Sequence, residues 1–332
     1  MAKVFFISKS NVRDAWLSAV GQVLYNGDDI KTEYDKKGDP PSKDATVMIE
    51  ISEPFSCPIM RKDKVLKIKS KYNNYYEVYG CLADTYLIGS IQSGYIEEIL
   101  DGRNDNLIYD SGMSFPYSYH DRIFNYTPYS LEDSSHSNYN LQYVKSDDVK
   151  KQQKLIRDGI YSPDSTIWKV HDGSEITLSQ KSGRVKDGMV PIEKLELPRV
   201  DQIKYIIKKL KESPHSRRAQ AITWRPIVDP YHDDPPCLQR IFMRIKDGKL
   251  MMQTTWRSRD LFRAWEANVN GMIRIQKYVA GELGVKVGHY VDFSNSLHIY
   301  GSNLLEVKDI LNRMRGRGEL PEEIIKLMDK NI

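Results

Sequence analysis

The run DDPPCLQRIFMRIKDGKLMMQTTWRSRDLFRAWEANVNGMIRIQKYVAGELG, residues 233–284, decides the fold. Ile241, Met243 and Ile245 alternate with polar residues before Asp247-Gly248, and Leu250 and Met252 continue after it. Alternation on both sides of an Asp-Gly pair predicts a tight β-hairpin. Asn268, Met272, Ile275, Val279 and Leu283 then recur at helical spacing, with Gly284 at the end, so a long amphipathic helix is expected. Outward from this core, SNSLHIYGSN (294–303) reads as a strand that projects Ser296, His298 and Tyr300 to one face. Upstream, Ile203, Ile206, Ile207 and Leu210 form the face of a helix that Ser213-Pro214 ends. Helices packed on a sheet make the fold class α+β.

The N-terminal part supports the same class. Val12, Trp16, Ala19, Val20 and Val23 give an amphipathic helix over 11–24, a Gly-, Asp-, Lys- and Pro-rich loop follows, and Val47, Ile49 and Ile51 mark a strand. Residues 70–125 mix aromatic and apolar positions without a clear period. From about 126 to 200 Ser, Asn, Asp and Lys accumulate, with turn signals at Asp172-Gly173 and Asp187-Gly188. We read 1–332 as a single domain carrying an insertion at about 126–200.

At 332 residues, 40% hydrophobic and 28% charged, the chain has the balance of a soluble globular protein with a sizeable core. A net charge of +4 and dispersed basic residues argue against a nucleic-acid-coating role. Cys57, Cys81 and Cys237 form neither a disulfide framework nor a metal-ligand pattern, so no metal is expected. No run of eighteen apolar residues crosses a membrane, and MAKVFFISKS lacks a cleavage pattern. The expected setting is cytoplasmic, where a free thiol survives.

Cys237 is the candidate residue for chemistry. A free buried cysteine is by default inert packing. This one follows Asp233-Asp234-Pro235-Pro236, where two prolines stiffen the approach, and precedes a strand. Arg217, Arg218, Arg240 and Arg257 supply a cationic neighbourhood expected to lower the thiol from its usual ~8.5. Spacing alone makes Cys237 a candidate nucleophile. Ser216-Arg217-Arg218 is either a solvated helix-end pair or a phosphate clamp, since guanidiniums donate in a fork, and Arg257-Ser258 with Asp260 is a second such cluster.

In order and interval, SRR (216–218), PPC (235–237), DGKL (247–250), WRSRD (256–260), Asn268 and LHIY (297–300) resemble the thymidylate synthase and deoxypyrimidine-nucleotide hydroxymethylase family, in particular its shorter, archaeal-like members. The resemblance covers 201–303 well, the first 120 residues loosely and 126–200 not at all. It implies a large mixed sheet packed with helices and dimerising through the sheet. It implies a one-carbon transferase in which Cys237 adds to C6 of dUMP or a related pyrimidine nucleotide, giving dTMP. The cofactor implied is 5,10-methylenetetrahydrofolate or a related methylene-tetrahydropterin. Arg257 would activate Cys237 and, with Ser258, bind the phosphate; Arg217 and Arg218 would reach the nucleotide of a partner subunit in a homodimer. Gln253 and Asp260 would line the site, with Asp260 contacting base and cofactor. Asn268 would read the base edge, and His298 and Tyr300 the ribose. Tyr119 would assist proton removal from C5, with Tyr117 as its rival. Asn268 favours dUMP over dCMP, because dCMP-acting members resemble one another in carrying aspartate there; its alternative role is to start the long helix.

Four departures from the family pattern stand out. Leu238 follows the cysteine where histidine is usual, and the first loop offers Lys36 or Lys37 in place of a phosphate arginine. Glu97 and Glu98 are candidates for the proton-relay glutamate. After Tyr300 the chain ends in MDKNI without the family's Pro-Val-Ala-Ile closure. The last point raises two expectations: a modified pterin as donor, or admission of water to give a deoxyuridylate or deoxycytidylate hydroxymethylase. A nucleotide-binding protein that has lost catalysis is the competing class.

Overall fold

A computed structural model describes residues 3–56, 79–80, 95–103, 105, 117–126, 199–226, 229–231 and 234–331, with the backbone of 68–69, 75–76, 143–145, 161–162, 166–169, 175–178 and 189–191. Cys57, Cys81 and the turns at Asp172-Gly173 and Asp187-Gly188 lie outside the described residues. Within 126–200 the described backbone forms antiparallel pairs: 143–145 with 189–191, 161–162 with 199–200, and 166–169 with 175–178.

Strand β1 (Val4–Lys9) leads into α1 (Val12–Asn26), whose cap is Asn11: its side chain accepts from the Asp14 amide at 2.9 Å. The expected apolar face, Val12, Trp16, Ala19, Val20 and Val23, is fully buried. After β2 (Asp28–Ile30) and β3 (Ser42–Ile51) come two short helices, α2 (Tyr95–Asp101) and α3 (Tyr119–Phe124). Helix α4 (Gln202–Glu212) starts at Asp201, which accepts from the Lys204 amide at 2.8 Å, and buries Ile203, Ile206, Ile207 and Leu210. Next are β4 (Gln220–Ile222), β5 (Leu238–Lys246), β6 (Lys249–Trp256) and the two-residue β7 (Arg259–Asp260). Helix α5 (Trp265–Leu283), strand β8 (Lys286–Ile299) and helices α6 (Leu304–Gly316) and α7 (Glu322–Lys330) complete the chain.

The strands join in one eight-stranded mixed sheet of order β1-β3-β8-β6-β5-β4, with β2 on β3 and β7 on β8. The hairpin forms as the sequence predicts: β5 and β6 pair antiparallel around Asp247 (φ 51°) and Gly248 (φ 70°), the two positive values a primed turn requires. One face of the sheet, including Val47, Ile49, Ile51, Leu250, Met252, Trp256 and Tyr290, is buried under the helices. The other face is open, with Val4 71%, Phe6 65% and Met48 41% exposed. Among the described residues no helix is long and apolar enough to cross a membrane.

Two expectations change. Helix α5 ends at Gly284 as predicted, but it is buried on most sides from Trp265 to Ala280 instead of along one stripe. It is a central helix, so polar residues such as Asn268, Asn270 and Gln276 are also enclosed. Strand β8 begins well before Ser294. Its alternation is disguised because the inward positions include Asp292 and Ser294, both buried. Tyr300 falls one residue past its end, where Gly301 lets the chain approach the first loop. A Cβ at Gly301 would lie 1.7 Å from the Pro40 carbonyl oxygen. That approach brings the 31–41 loop to the end of β8, and Tyr34 meets the Tyr300 ring edge-on at 6.1 Å.

Candidate active site

Cys237 sits where the Pro235-Pro236 segment enters β5. Its carbonyl accepts from the Arg257 amide at 2.9 Å, which ties the cysteine to the end of β6. The Arg257 side chain folds back onto the same segment, its Nε donating to the Pro236 carbonyl at 3.2 Å and a terminal nitrogen to the Pro235 carbonyl at 2.5 Å. Asp234 stands 4.0 Å from that guanidinium. The expectation of a lowered thiol needs correction. Burial pushes the Cys237 thiol up, and the pull of Arg257 and Arg259 does not reverse it. Arg240 belongs to another place: it is exposed on the open face of the sheet, over the Phe242 ring. Alkylation of Cys237 follows its thiolate, so labelling should rise with pH above the range of a free cysteine. Arg257→Met removes the nearest cation and is expected to shift that profile further upward, slowing labelling at pH 8 by about tenfold. A downward or absent shift in an iodoacetamide pH series would contradict this electrostatic role.

Two tyrosines also lie near the thiol. The Tyr119 hydroxyl accepts from the Leu238 amide at 3.4 Å, its ring meets Trp256 edge-on at 5.8 Å, and Tyr117 is 5.5 Å away. The two phenols share a hydrogen bond, and burial raises both above the ordinary tyrosine range. Tyr119 and Tyr117 are thus both at the site; Tyr119 alone of the two touches the backbone beside Cys237 through its hydroxyl.

Below them, Asn268 is not a helix start. The helix cap is Ala264, and Asn268 lies within α5, 8% exposed. Its Oδ1 accepts from Arg259 Nε at 3.2 Å, and its Nδ2 donates to the Tyr95 hydroxyl. Arg259 pairs with Asp292 and lies over the Trp256 ring, 3.8 Å from the centroid. Asp260 Oδ1 accepts from the amides of Phe262 and Arg263, both at 2.9 Å, and burial raises its carboxyl. His298 is buried beside Asp260 and Asp44, and burial lowers its imidazole. Its Nδ1 lies 3.4 Å from the Ser296 hydroxyl, while Nε2 is buried with no hydrogen-bond partner among the described residues. Tyr300 packs edge-on to His298 at 4.6 Å, its phenol pushed up to about 12 by burial. Ser296, His298 and Tyr300 therefore share a side, as read from the sequence.

The structure thus gathers Cys237, Arg257, Asp260, Asn268, His298, Tyr300, Tyr117 and Tyr119 at one end of the sheet, with Ser258 half-buried in the chain between Arg257 and Arg259. It does not bring Gln253 there. Met252, Thr254 and Trp256 point inward on β6, so Gln253 faces outward and is exposed. Arg217 and Arg218 are exposed between α4 and β4, and no described contact joins them to the Cys237 cluster. Lys36 and Lys37 are also exposed; Tyr34 is the residue of that loop that reaches Tyr300. Glu98 is half-buried on α2. Sequence reasoning missed Tyr34, Tyr95, Arg259 and Asp292. A lone aspartate inside the strand run HYVDF was the available signal for the last pair. Among the described residues no group of three metal-ligating side chains converges.

Comparison with known proteins adds to this geometry. The family model described as Thymidylate synthase matches residues 157–332, more than half of the chain. A protein named "Putative thymidylate synthase" from Methanosarcina acetivorans is 43% identical over 112 residues, 34% of this chain and 52% of that one. A protein of the same name from Methanocaldococcus jannaschii is 25% identical over 299 residues, 89% of this chain and 90% of that one. The chain spans about half the length of the Methanothermobacter and Methanosarcina relatives it matches. Among solved structures, the thymidylate synthase from T4 phage is 28% identical with a TM-score of 0.32, covering 33% of this chain and 39% of that one.

Proposed function

Since the chain belongs to the thymidylate synthase family, we propose that it transfers a one-carbon unit to C5 of dUMP, with Cys237 as the nucleophile and dTMP as the product. The observation that carries this reading is the juxtaposition of a half-buried thiol, a cation folded beside it and a buried His298 Nε2 that has no partner among the described residues. A buried imidazole nitrogen without a partner is costly unless a ligand supplies one. A sugar hydroxyl next to Tyr300 would satisfy it.

C5 of a pyrimidine is a weak nucleophile until a thiolate adds at C6 and moves the ring's electron pair toward C5 and O4. Arg257 has the task of favouring that thiolate against burial, which explains why the cation lies on the Pro235-Pro236 segment instead of in solvent. On nucleotide binding its guanidinium, with Ser258, engages the phosphate, which takes the place of Asp234 as its anionic partner. Tyr119 and Tyr117 stay protonated under burial, so they act as a hydrogen-bonded relay for the C5 proton and not as phenolate bases. Expulsion of the Cys237 thiolate from C6 then restores the aromatic ring.

The donor set also fits a reduced pterin. Asp260 has one carboxylate oxygen saturated by two backbone amides, leaving an acceptor for the N–H edge of such a ring. When bound, a methylene-tetrahydropterin such as 5,10-methylenetetrahydrofolate supplies the carbon and, for a methyl product, the hydride. The test is release of the C5 tritium from labelled dUMP: release that depends on the pterin supports the reading. Binding of dUMP without release under any reduced pterin would instead fit a non-catalytic nucleotide-binding protein.

The open sheet face supports a homodimer. Val4, Phe6 and Met48 lie exposed there, and Met48 pairs across from Phe293. A face of this kind is covered by a second copy in symmetric oligomers, which would also carry Arg217 and Arg218 of each copy to the other's phosphate site. Met48→Asp is expected to shift sedimentation at micromolar concentration from dimer toward monomer and to lower activity by about a hundredfold. A wild-type monomer with full activity would contradict the arrangement.

A further inference from the structure

The nucleotide reading gives one buried cation near the site no part in choosing the base. Arg259, on β7 between Ser258 and Asp260, is 2% exposed, and its partner Asp292 on β8 is fully buried. Asp292 is itself held: it accepts from Ser294 Oγ at 3.3 Å and from the Tyr290 hydroxyl at 3.5 Å. The Tyr290 hydroxyl lies 2.8 Å from Thr254 Oγ1, to which Trp256 Nε1 donates at 3.0 Å. The guanidinium is thus fixed on three sides, by the Asp292 carboxylate, by the Trp256 ring face and by the Trp265 carbonyl at 3.3 Å. A buried ion pair is weak evidence of stabilisation, because apolar residues of similar volume often do as well. Its geometry supports another role. The remaining nitrogen, Nε, points at the Asn268 amide.

We propose that Arg259, locked by Asp292 and Trp256, is a positioning residue that fixes the orientation of the Asn268 amide and so selects a 4-oxo over a 4-amino pyrimidine. The inference rests on the nucleotide reading above and adds the means of base choice. A free carboxamide has no preferred sense; rotated by half a turn, it exchanges donor and acceptor and suits either base. A guanidinium only donates. The atom that faces Arg259 Nε must therefore be Oδ1, whatever else surrounds the amide. The reverse orientation would set N–H against N–H at 3.2 Å, too close for a water to lie between them.

With Oδ1 toward Arg259, Nδ2 points the other way. One of its hydrogens goes to the Tyr95 hydroxyl. The second hydrogen and the second lone pair of Oδ1 are what a base edge can use. That pattern, one donor and one acceptor in fixed order, matches O4 and N3–H of a uracil-type ring. A cytosine-type ring offers the inverse, an amino group and a bare N3, and both contacts fail. Mismatched buried polar groups are the strongest discriminators a site has. Asn268 alone does not choose; the cation behind it does.

The test separates this role from plain stability. Arg259→Lys keeps a positive charge opposite Asp292, but one ammonium on a flexible stem cannot both pair there and donate to Asn268. We expect the ratio of dUMP to dCMP dissociation constants, measured by calorimetry, to move toward unity by about tenfold to a hundredfold. Dimer content and the unfolding midpoint should change little. In an Asn268→Ala background the same Arg259→Lys change should leave the ratio where Asn268→Ala put it, because the effect runs through that amide. A folded Arg259→Lys protein with the wild-type ratio overturns the proposal, as does an equal shift in the Asn268→Ala background. If Arg259→Lys fails to fold, the pair Arg259→Met with Asp292→Leu removes the buried charges together and carries the same comparison. Wild-type protein that binds neither nucleotide overturns the nucleotide reading, and the proposal with it; selective dUMP binding with an unmoved ratio overturns the proposal alone.

Discussion

Replacing Cys237 by serine is expected to lower C5-proton release from dUMP by about ten-thousandfold or more while dUMP binding stays within a few-fold. The surroundings explain the size of the loss. Burial already raises the thiol, and only the cations of Arg257 and Arg259 work in the opposite sense. An alcohol starts several units higher than a thiol, so the same field leaves it un-ionised across the whole working range. Binding is retained because the contacts proposed for phosphate, ribose and base come from Arg257, His298, Tyr300 and Asn268, not from the sulfur. Serine also fits the space and keeps the backbone bond from the Arg257 amide to the residue 237 carbonyl. Residual activity within tenfold of wild type, measured by tritium release, would mean that Cys237 packs and does not react.

The largest stability effect is expected at Arg122. It lies on α3, three residues after Tyr119, with its guanidinium 1% exposed and Asp229 fully buried. Its two terminal nitrogens donate to Asp229 at 2.7 and 3.0 Å, and one also donates to the Thr223 carbonyl at 2.9 Å. The Asp229 carboxylate accepts in turn from the Arg225 amide at 2.6 Å, and the Arg122 carbonyl accepts from Gln202 Nε2 at 2.9 Å. This network joins α3, α4 and the segment leading to Cys237. Arg122→Met strands a carboxylate in the interior and should cost about 3–5 kcal/mol in urea unfolding at 25 °C. Arg122→Met with Asp229→Leu should recover most of that loss, since both charges leave together. Equal losses for the single and the double variant would show that packing, and not the stranded charge, sets the cost. The single variant should also lower turnover, because the helix it loosens carries Tyr119.

The local order of the C-terminal half was legible because its signals are short-range. Alternation around Asp247-Gly248 specifies a hairpin through the turn's own backbone demand, and Ile203, Ile206, Ile207 and Leu210 specify a helix face through its period. The intervals from Cys237 to Arg257, Asn268 and His298 carried a family resemblance that pointed to these residues, and they lie on or beside consecutive elements. What failed was less local. Gln253 was assigned to the site through the family resemblance, although Trp256 facing inward already requires residue 253 to face outward on the same strand. Cys237 was given a lowered thiol by counting neighbouring arginines; burial, which depends on the whole fold, has the opposite sign and outweighs them. Arg240 was counted too, yet β5 turns it to the open face. Asn268 resembled a helix start because nothing in the sequence marks Ala264 as the cap. Tyr95 and Tyr34 reach the site from segments whose period was unclear or absent, and Arg259 was hidden as the fourth residue of WRSRD. Its role depends on Asp292, thirty-three positions later.

The central claim is tested most directly by mass spectrometry of dUMP after incubation with the protein and 5,10-methylenetetrahydrofolate, with Cys237→Ala alongside. The account predicts a product heavier by one CH2 group with the wild-type protein and unchanged dUMP with the variant. A gain of CH2O would retain the Cys237 chemistry and assign the hydroxymethyl product instead. Unchanged dUMP with both proteins, or the same product from both, would contradict one-carbon transfer through Cys237.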